Sequence, residues 1–147
     1  MYRVASRMVG DSEDVFDIIQ EIFIDFFNKT NNGTIIHNPK SWLFRATINK
    51  CIDNQRSRKR FHNLDSIDEY KSEVGIVENQ EMKDAISIAI SKLNPQEKIL
   101  ATVYSEGLSY KEIAEVTGIK FSSIGKMLSR TLKKMGKELK NQSYDLY

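Results

Sequence analysis

Few residues of this chain could do covalent or metal chemistry, and those few are scattered. Cys51 is the only cysteine, and His37 and His62 are the only histidines. Their spacing matches no zinc-ligand pattern, and no sequence context pairs a nucleophile with a base. No glycine-rich phosphate loop occurs either. We therefore expect no catalytic residue, no metal and no cofactor, and we expect Cys51, which shares an apolar helix side with Ile48 and Ile52, to lie in the core.

Basic side chains are abundant by comparison, and they are unevenly placed. Residues 1–60 carry 10 Lys/Arg against 7 Asp/Glu, residues 61–91 carry 2 against 7, and residues 92–147 carry 10 against 6. Two basic ends that flank an acidic middle suit a polyanion such as DNA. The alternative, that the charges only solvate helix faces, stays open on composition alone.

The composition is that of an ordinary globular protein. Of 147 residues, 40% are hydrophobic and 29% are charged, which is enough apolar material to bury a core. The apolar runs are too short to span a bilayer, and residues 1–10 lack the apolar stretch of a signal peptide. A single cysteine excludes an internal disulfide and suits a reducing compartment, so we expect a cytoplasmic protein.

Helical patterns run through most of the sequence. The chain has only 7 Gly and 2 Pro, and β-type alternation is nearly absent. The acidic stretch 61–79 holds no sustained helical period. The pattern therefore predicts an all-α protein of two small helical domains, residues 1–60 and 80–140, joined by a linker over residues 61–79.

The first long helix is predicted over Ser12–Asn28, and its sides differ in character. A wide apolar stripe predicts the side that faces the core. Acidic residues share the opposite side, although each like-charged neighbour pair costs roughly a few tenths of a kcal/mol. That side is either solvated or offered to a basic partner. The apolar stripe comprises Val15, Ile18, Ile19, Ile22 and Phe26, widened by Phe16, Phe23 and Phe27, and the acidic side comprises Asp14, Asp17, Glu21 and Asp25.

A second helix is predicted to begin at Asn38-Pro39, because Asn is a good N-cap and Pro suits the first helical position. It runs to about Arg60 and ends in a cluster of basic residues, more than the helix dipole requires. The segment between the two helices, Lys29–His37, is polar and contains a glycine, so it is predicted to be a loop.

The C-terminal domain is predicted to begin with two helices. The first covers Gln80–Leu93. The second starts at Asn94, which with Glu97 forms a capping box around Pro95, and it ends at Gly107.

The next two helices have the pattern of a helix-turn-helix. Ser109 and Glu112 form a second capping box, which opens a short helix. Ala114 permits close contact between the helices, and Gly118 permits the turn that joins them. A long helix follows from about Ser122 to Leu139. The residues predicted to close the core between the two helices are Ile113, Ile119, Ile124 and Leu128.

The polar side of that long helix is basic. Its small polar start suits the major groove of DNA, and its Lys and Arg side chains suit phosphates. The alternative is an ordinary helical hairpin with a basic surface. The agreement of capping box, small residue, turn glycine and apolar spacing favours DNA binding. The candidate contacts are Lys120, Ser122, Ser123, Lys126, Arg130, Lys133 and Lys134.

Two sets of motifs resemble one known family, in the same order along the chain. Leu93-Asn-Pro-Gln-Glu97, followed by Leu108-Ser-Tyr-Lys-Glu-Ile-Ala-Glu-Val-Thr-Gly-Ile119, resembles the promoter-binding region 4 of sigma-70-type factors, and in particular the extracytoplasmic-function (ECF) subfamily. Gly10-Asp-Ser-Glu-Asp-Val-Phe-Asp-Ile-Ile-Gln-Glu-Ile-Phe23 and Pro39-Lys-Ser-Trp-Leu-Phe-Arg-Ala-Thr-Ile-Asn-Lys-Cys-Ile-Asp53 resemble region 2 of that subfamily. The resemblance covers nearly the whole chain and implies a sigma factor, which binds core RNA polymerase and promoter DNA together.

The resemblance implies a role for the acidic side of the first long helix. It places Asp14, Asp17, Gln20, Glu21 and Phe23 on the part of region 2 that docks on the clamp helices of the polymerase large subunit. A surface for a partner is therefore favoured over a solvated face.

The resemblance also implies a surface for the −10 element. The loop and the helix that contains Trp42 correspond to the part that opens this element, and the loop captures a flipped-out base. Trp42 itself is either a core residue or a stacking platform. The implied contacts are Asn31, Asn32, Trp42, Arg45, Lys50, Arg56, Arg58, Lys59 and Arg60.

The sequence departs from the family pattern in two places. Family members commonly carry basic residues where this chain has Gly125 and Met127, in the helix that corresponds to the reader of the −35 element. Either base preference differs, or binding depends on the other basic residues. The resemblance also begins inside region 2, so that most of the family's first helix would precede Met1. From this we expect a less stable N-terminal domain and weaker polymerase binding.

Other partners and other classes of protein stay open. The resemblance adds an anti-sigma protein as a candidate partner. A stand-alone helix-turn-helix regulator would need only the C-terminal motifs and would not bind core polymerase, whereas an adaptor bundle would not bind duplex DNA. A linker that blocks the DNA-binding surfaces is a further hypothesis from the charge pattern.

Overall fold

The computed structural model describes residues 1–10, 12–62 and 80–145. Within these ranges the chain forms seven α-helices and no strand, so the all-α prediction is confirmed. The chain divides into two compact units, within Met1–Glu73 and Val74–Tyr147. The helices are α1 (Tyr2–Val9), α2 (Ser12–Asn31), α3 (Pro39–His62), α4 (Gln80–Ser91), α5 (Pro95–Ser105), α6 (Tyr110–Thr117) and α7 (Phe121–Asp145).

The predicted linker over residues 61–79 falls almost wholly outside the described residues. Its first two positions belong to α3, which continues to His62. Among the helices that the structure describes, none is long and apolar enough to cross a membrane.

The helix α1 is an element that the sequence patterns did not predict. Gly10 ends it with a φ of 81°, and the Gly10 N–H donates to the carbonyl of Ser6 at 2.9 Å. Val4, Ala5 and Val9 are buried, and α1 contacts both α2 and α3. This short helix therefore covers one end of the core of the first unit.

The core of the first unit forms where α1, α2 and α3 meet. Val15, Ile18 and Ile22 line the buried side of α2, and Cys51 and Ile48 are buried on α3. The prediction that Cys51 lies in the core is confirmed. Because burial disfavours a thiolate, it raises the pKa of Cys51 to about 12.

The apolar side of α2 is narrower than the sequence pattern indicated. Phe16, Phe23 and Phe27 were predicted to widen the core stripe, but their exposed fractions are 62%, 52% and 62%. Their positions repeat at i, i+7 and i+11, which places them on one side of the helix, outside the buried core of the unit. We call these three residues the aromatic stripe.

The junction of α2 and α3 differs from the prediction at one end. The residues Lys29, Thr30 and Asn31 were predicted to open the loop, but they form the last turn of α2. The end of the helix is closed by the Thr34 N–H, which donates to the carbonyl of Lys29 at 3.0 Å. The start of α3 is as predicted, with Oδ1 of Asn38 accepting from the backbone N–H of Ser41 at 3.1 Å.

The second unit is built around α7, which contacts α4, α5 and α6. Both predicted capping boxes are present, at Asn94 before α5 and at Ser109 before α6. Gly118 adopts the left-handed conformation with a φ of 74°, as the predicted turn requires. Of the predicted core residues, Ile113, Ile124 and Leu128 are buried and Ile119 is half-buried.

The predicted ends of the helices in this unit were less accurate than the predicted capping boxes and turn. The helix α4 ends at Ser91 rather than at Leu93. The helix α7 begins at Phe121 and extends to Asp145, well beyond the predicted end at Leu139.

Candidate nucleic-acid and protein interfaces

The helices α6 and α7 form the helix-turn-helix that the sequence indicated. Oγ of Ser109 accepts from the backbone N–H of Glu112 at 3.2 Å, and the Glu112 carboxylate accepts from the Ser109 N–H at 2.8 Å. These two bonds satisfy donors that a helix start leaves free. Thr117 and Gly118 then end α6 three residues before α7 begins, so the start of α7 is held in a fixed direction by α6.

The outer side of α7 carries a stripe of polar and basic side chains. Ser122, Lys126, Arg130 and Lys133 are exposed and repeat at i, i+4, i+8 and i+11, on the side opposite the buried Ile124 and Leu128. Lys120 is exposed in the turn before α7. These residues are therefore displayed together, at and after the N-terminal end of the helix, where a groove-binding helix meets the bases.

Two of the residues predicted to contact DNA from α7 are less available to it than the others. Ser123 is half-buried. Nζ of Lys134 pairs with Oε2 of Glu97 at 3.0 Å. The hydrogen bond from the backbone of Asn94 and this contact with Lys134 together lower the pKa of Glu97. Lys134 thus joins α7 to the start of α5, a tertiary contact that the sequence did not indicate.

The basic residues predicted along α3 fall into two groups. Arg45, Arg56, Lys59 and Arg60 are exposed, and their spacing places them on one side of the helix. Lys50 and Arg58 lie towards α2 instead. Nζ of Lys50 donates to Oε2 of Glu21 at 2.8 Å, and Nη2 of Arg58 pairs with Oδ2 of Asp14.

Because of these two ion pairs, the acidic side of α2 has residues that contact α3 and residues that do not. Asp14 and Glu21 are engaged by α3, whereas Asp17 and Gln20 are exposed. The contact with Glu21 raises the pKa of Lys50 above its ordinary value. Because α2 and α3 run antiparallel, Asp14 lies beside Arg58 and Glu21 lies beside Lys50. No sequence motif indicates these pairs of residues, which are far apart along the chain.

The aromatic stripe lies beside the exposed part of this acidic side. Gln20 stands between Phe16 and Phe23 on the same side of α2, and Phe23 is one of the residues predicted to contact a partner. The ring of Tyr2 on α1 lies 5.6 Å from that of Phe16, between ring centroids. Large exposed apolar side chains grouped on one side of a helix are typical of protein-binding sites.

The loop before α3 displays both predicted asparagines and one apolar residue that was not predicted. Asn31 ends α2 and Asn32 follows it, and both are exposed. Ile35 is the large apolar side chain with the greatest exposed fraction in the described residues, 77%. The sequence shows an isoleucine within a polar loop. Helical periodicity predicts burial only within a helix, so it does not indicate whether a loop residue is exposed.

Trp42 lies at the edge of the core of the first unit. It is half-buried and packs against the cluster that contains Ala5, Ile22 and Cys51. Its ring centroid is 5.5 Å from that of Phe26. The indole is therefore a packing residue with one accessible part, so both roles considered for it are compatible with its position.

The described residues contain no group of three or more His, Cys, Asp or Glu side chains that could hold a metal ion.

Comparison with protein families gives two matches in chain order. The family model described as Sigma-70 region 2 matches residues 1–61, and the one described as Sigma-70, region 4 matches residues 83–135.

Three curated proteins are similar along most of the chain. An ECF RNA polymerase sigma factor, SigE of Mycolicibacterium smegmatis, is 28% identical in an alignment of 142 positions that covers 88% of this chain and 53% of that protein. The RNA polymerase sigma factor SigV of Bacillus subtilis is 29% identical and the ECF factor SigW of the same organism 25% identical. These matches cover 91% and 96% of this chain, and 81% and 83% of SigV and SigW. The chain thus spans about half the length of the first of these relatives.

One solved structure is similar in fold. It is the sigma factor RpoE in a complex with the anti-sigma factor NepR from Bartonella quintana, with a TM-score of 0.72 and 19% identity. The match covers 95% of this chain and 89% of that one.

Proposed function

The chain belongs to the sigma-70 family of RNA polymerase sigma factors, in its ECF group, and from this premise we propose that it binds core RNA polymerase and directs transcription initiation at specific promoters. The observation that carries the proposal is the presence of a region 2 match and a region 4 match in one chain. A stand-alone regulator would need only the helix-turn-helix. The first unit, with its own helical core and exposed interfaces, supports the sigma-type function.

In the proposed complex, α7 contacts the −35 element. The first turn of the helix enters the major groove, and the basic stripe contacts phosphates, which gives affinity that falls as salt rises. Lys134 is expected to contribute less than Lys126 or Arg130, because it already has Glu97 as a partner. The proposed contacts are Lys120, Ser122, Ser123, Lys126, Arg130, Lys133 and Lys134.

The −10 element is proposed to meet the loop before α3 and the exposed basic side of α3. Arg45, Arg56, Lys59 and Arg60 supply phosphate contacts, and Asn31 and Asn32 lie where an unstacked base could be hydrogen-bonded. Lys50 and Arg58 contact α2 in this structure, so their main effect is expected on the stability of the first unit.

Core polymerase is proposed to dock on α2, over Asp17, Gln20 and Phe23. The aromatic stripe supplies apolar area at the centre of such an interface, and the carboxylate of Asp17 is complementary in charge to a basic partner. Glu21 and Asp14 lie on the same helix but form ion pairs with α3, so we propose that their main role is to fix α2 against α3.

The mechanism is positional, and the chain itself carries out no bond chemistry. Each unit binds its element weakly, and the polymerase that holds both units raises the effective concentration of each at its DNA site. We propose that the protein acts in the cytoplasm with polymerase. An anti-sigma protein is a further proposed partner, supported by the similar fold of a sigma factor solved with one.

Retention of the full chain by the core RNA polymerase of its host tests the proposal. The wild type is expected to co-purify with core polymerase, and Asp17→Arg is expected to be lost, because it places a positive charge in the docking surface. Asp17→Arg is cleaner than Glu21→Arg, since the latter also breaks the ion pair with Lys50. Asp84→Arg, on α4, changes the net charge equally and serves as the matched control.

The outcomes separate the candidate functions. Retention of the wild type and of Asp84→Arg, with loss of Asp17→Arg, supports a sigma factor that docks through α2. No retention of the wild type, with duplex DNA still bound, would contradict the proposal and identify a stand-alone regulator.

A further inference from the structure

The first turn of α7 carries an aromatic side chain that the candidate contacts do not include. Phe121 is the first residue of the helix, and 61% of it is exposed. It stands between Lys120 and Ser122, which are both exposed. Since the N-terminal residues of a recognition helix contact base edges, the groove-binding end of α7 presents a large apolar ring as well as polar groups.

The side of α7 that bears Phe121 stays uncharged over the next turn. Gly125 follows Phe121 at i+4, on the same side of the helix. Cε2 of Tyr110, from the start of α6, lies 3.5 Å from the point where a Cβ of residue 125 would be. Tyr110 is itself 44% exposed. Two accessible aromatic rings thus lie near Gly125 at the start of the helix, whereas Lys126 and Arg130 lie roughly 140° and 180° around the helix axis from Phe121.

The major groove offers one apolar group to such a surface. Thymine carries a C5-methyl group there, and aromatic and small apolar side chains recognise it by contact, while polar side chains read the donors and acceptors of the other base edges. Contact between the Phe121 ring and that methyl group removes apolar surface of both from water, which is favourable.

We propose that Phe121 contacts the C5-methyl group of a thymine in the −35 element, with Tyr110 extending the apolar surface across Gly125. This rests on the proposed function, because it requires α7 in the groove of promoter DNA. Phe121 is then a specificity-determining residue. It selects thymine at one position, while the basic stripe supplies most of the affinity through phosphates.

The test removes the methyl group and leaves every hydrogen-bonding group of the base in place. Promoters bound by the full chain with core polymerase are first selected from DNA with a randomised upstream segment. Each thymine of the selected −35 element is then replaced by deoxyuridine, one at a time, and the dissociation constant is measured. We expect one or two replacements to weaken binding by about fourfold each, the ratio that corresponds to burial of one methyl-sized group.

Variants of α7 connect that loss to Phe121. Phe121→Ala is expected to bind the thymine promoter more weakly and to show no further loss with deoxyuridine at the sensitive position, because the two changes remove the same contact. Leu132→Ala is the matched control, an exposed apolar side chain on the same side of α7 and eleven residues further along, about 16 Å from Phe121. It should keep the full sensitivity to deoxyuridine.

Two results would overturn the inference. One is a wild-type protein that is insensitive to deoxyuridine at every thymine of the element, and the other is equal sensitivity in wild type and Phe121→Ala. Failure of the proposed function is distinguishable, since it appears as loss of retention by core polymerase. In that case the same scan on duplex DNA with the full chain alone still decides whether Phe121 contacts a methyl group.

Discussion

Replacing either interior glycine of α7 with alanine is expected to stabilise the second unit. A Cβ at residue 136 would meet nothing within 4 Å, and one at residue 125 would meet only Tyr110 at 3.5 Å, an ordinary van der Waals distance. Neither glycine has a positive φ. Because glycine in a helix interior costs about 0.5–1 kcal/mol relative to alanine, each change is expected to raise the free energy of unfolding by about that amount.

Thermal unfolding of the full chain measures the effect, with an internal control. For a unit of this size, about 0.5–1 kcal/mol corresponds to a rise in Tm of about 2–8 °C. The chain has one tryptophan, Trp42, which lies in the first unit. Circular dichroism should therefore show a shifted transition for Gly125→Ala and Gly136→Ala, while the transition followed by tryptophan fluorescence stays in place.

Gly118→Ala is the opposing control, because its φ of 74° strains any residue with a Cβ. It should lower the Tm of the second unit. A destabilising Gly136→Ala would refute the reasoning, since no neighbouring atom could account for it. A destabilising Gly125→Ala alone would mean that the Tyr110 ring cannot tolerate even this contact.

Three further predictions concern caps, pH and burial. Asn94→Ala is expected to lower the free energy of unfolding of the second unit by about 1 kcal/mol in urea titrations, while Asn94→Asp, which keeps a cap acceptor, loses much less. The pKa of Glu97 is held below its ordinary value of 4.5 by the Asn94 backbone and Lys134, so stability should fall as the pH drops below 4.5 and through the lowered pKa. The same titrations on Glu97→Gln should show a flatter dependence on pH, and an unchanged slope would contradict this role. Burial raises the pKa of Cys51 to about 12, so a thiol reagent at about pH 8 should label it only in denaturant; rapid labelling of the native chain would contradict its place in the core.

The parts of the fold that could be predicted from the sequence are those encoded over a few residues. The capping boxes at Asn94 and Ser109 and the turn at Gly118 all depend on groups within four residues of one another. Such contacts form in the same way wherever the segment lies, so the residue types alone determine them. The helix-turn-helix was therefore located correctly to within a few residues.

The parts that could not be predicted depend on which helix packs where. Whether Phe16 and Phe27 are buried depends on how far α1 and α3 reach around α2, and periodicity does not contain that information. The pair between Lys50 and Glu21 joins residues that are 29 apart, and the pair between Lys134 and Glu97 joins residues that are 37 apart. Residue types predicted the charges of these side chains, but only the arrangement of the helices assigns their partners.

The two sides of α7 bear on how promoter preference can evolve in such a protein. Ile124 and Leu128 anchor the helix in the core, while Ser122, Lys126 and Arg130 project outward and contribute little to stability. Point substitutions on the outer side can therefore drift, and change the DNA sequence that is recognised, without a penalty in folding. A single-residue insertion between Leu128 and Arg130 has a different outcome, because it turns the rest of the helix by about 100° and brings Arg130 and Lys134 to the places of Thr131 and Met135. A deletion turns the helix the other way and likewise removes the buried Thr131 from the core. Diversification of this recognition helix is thus expected to proceed by substitution at constant length.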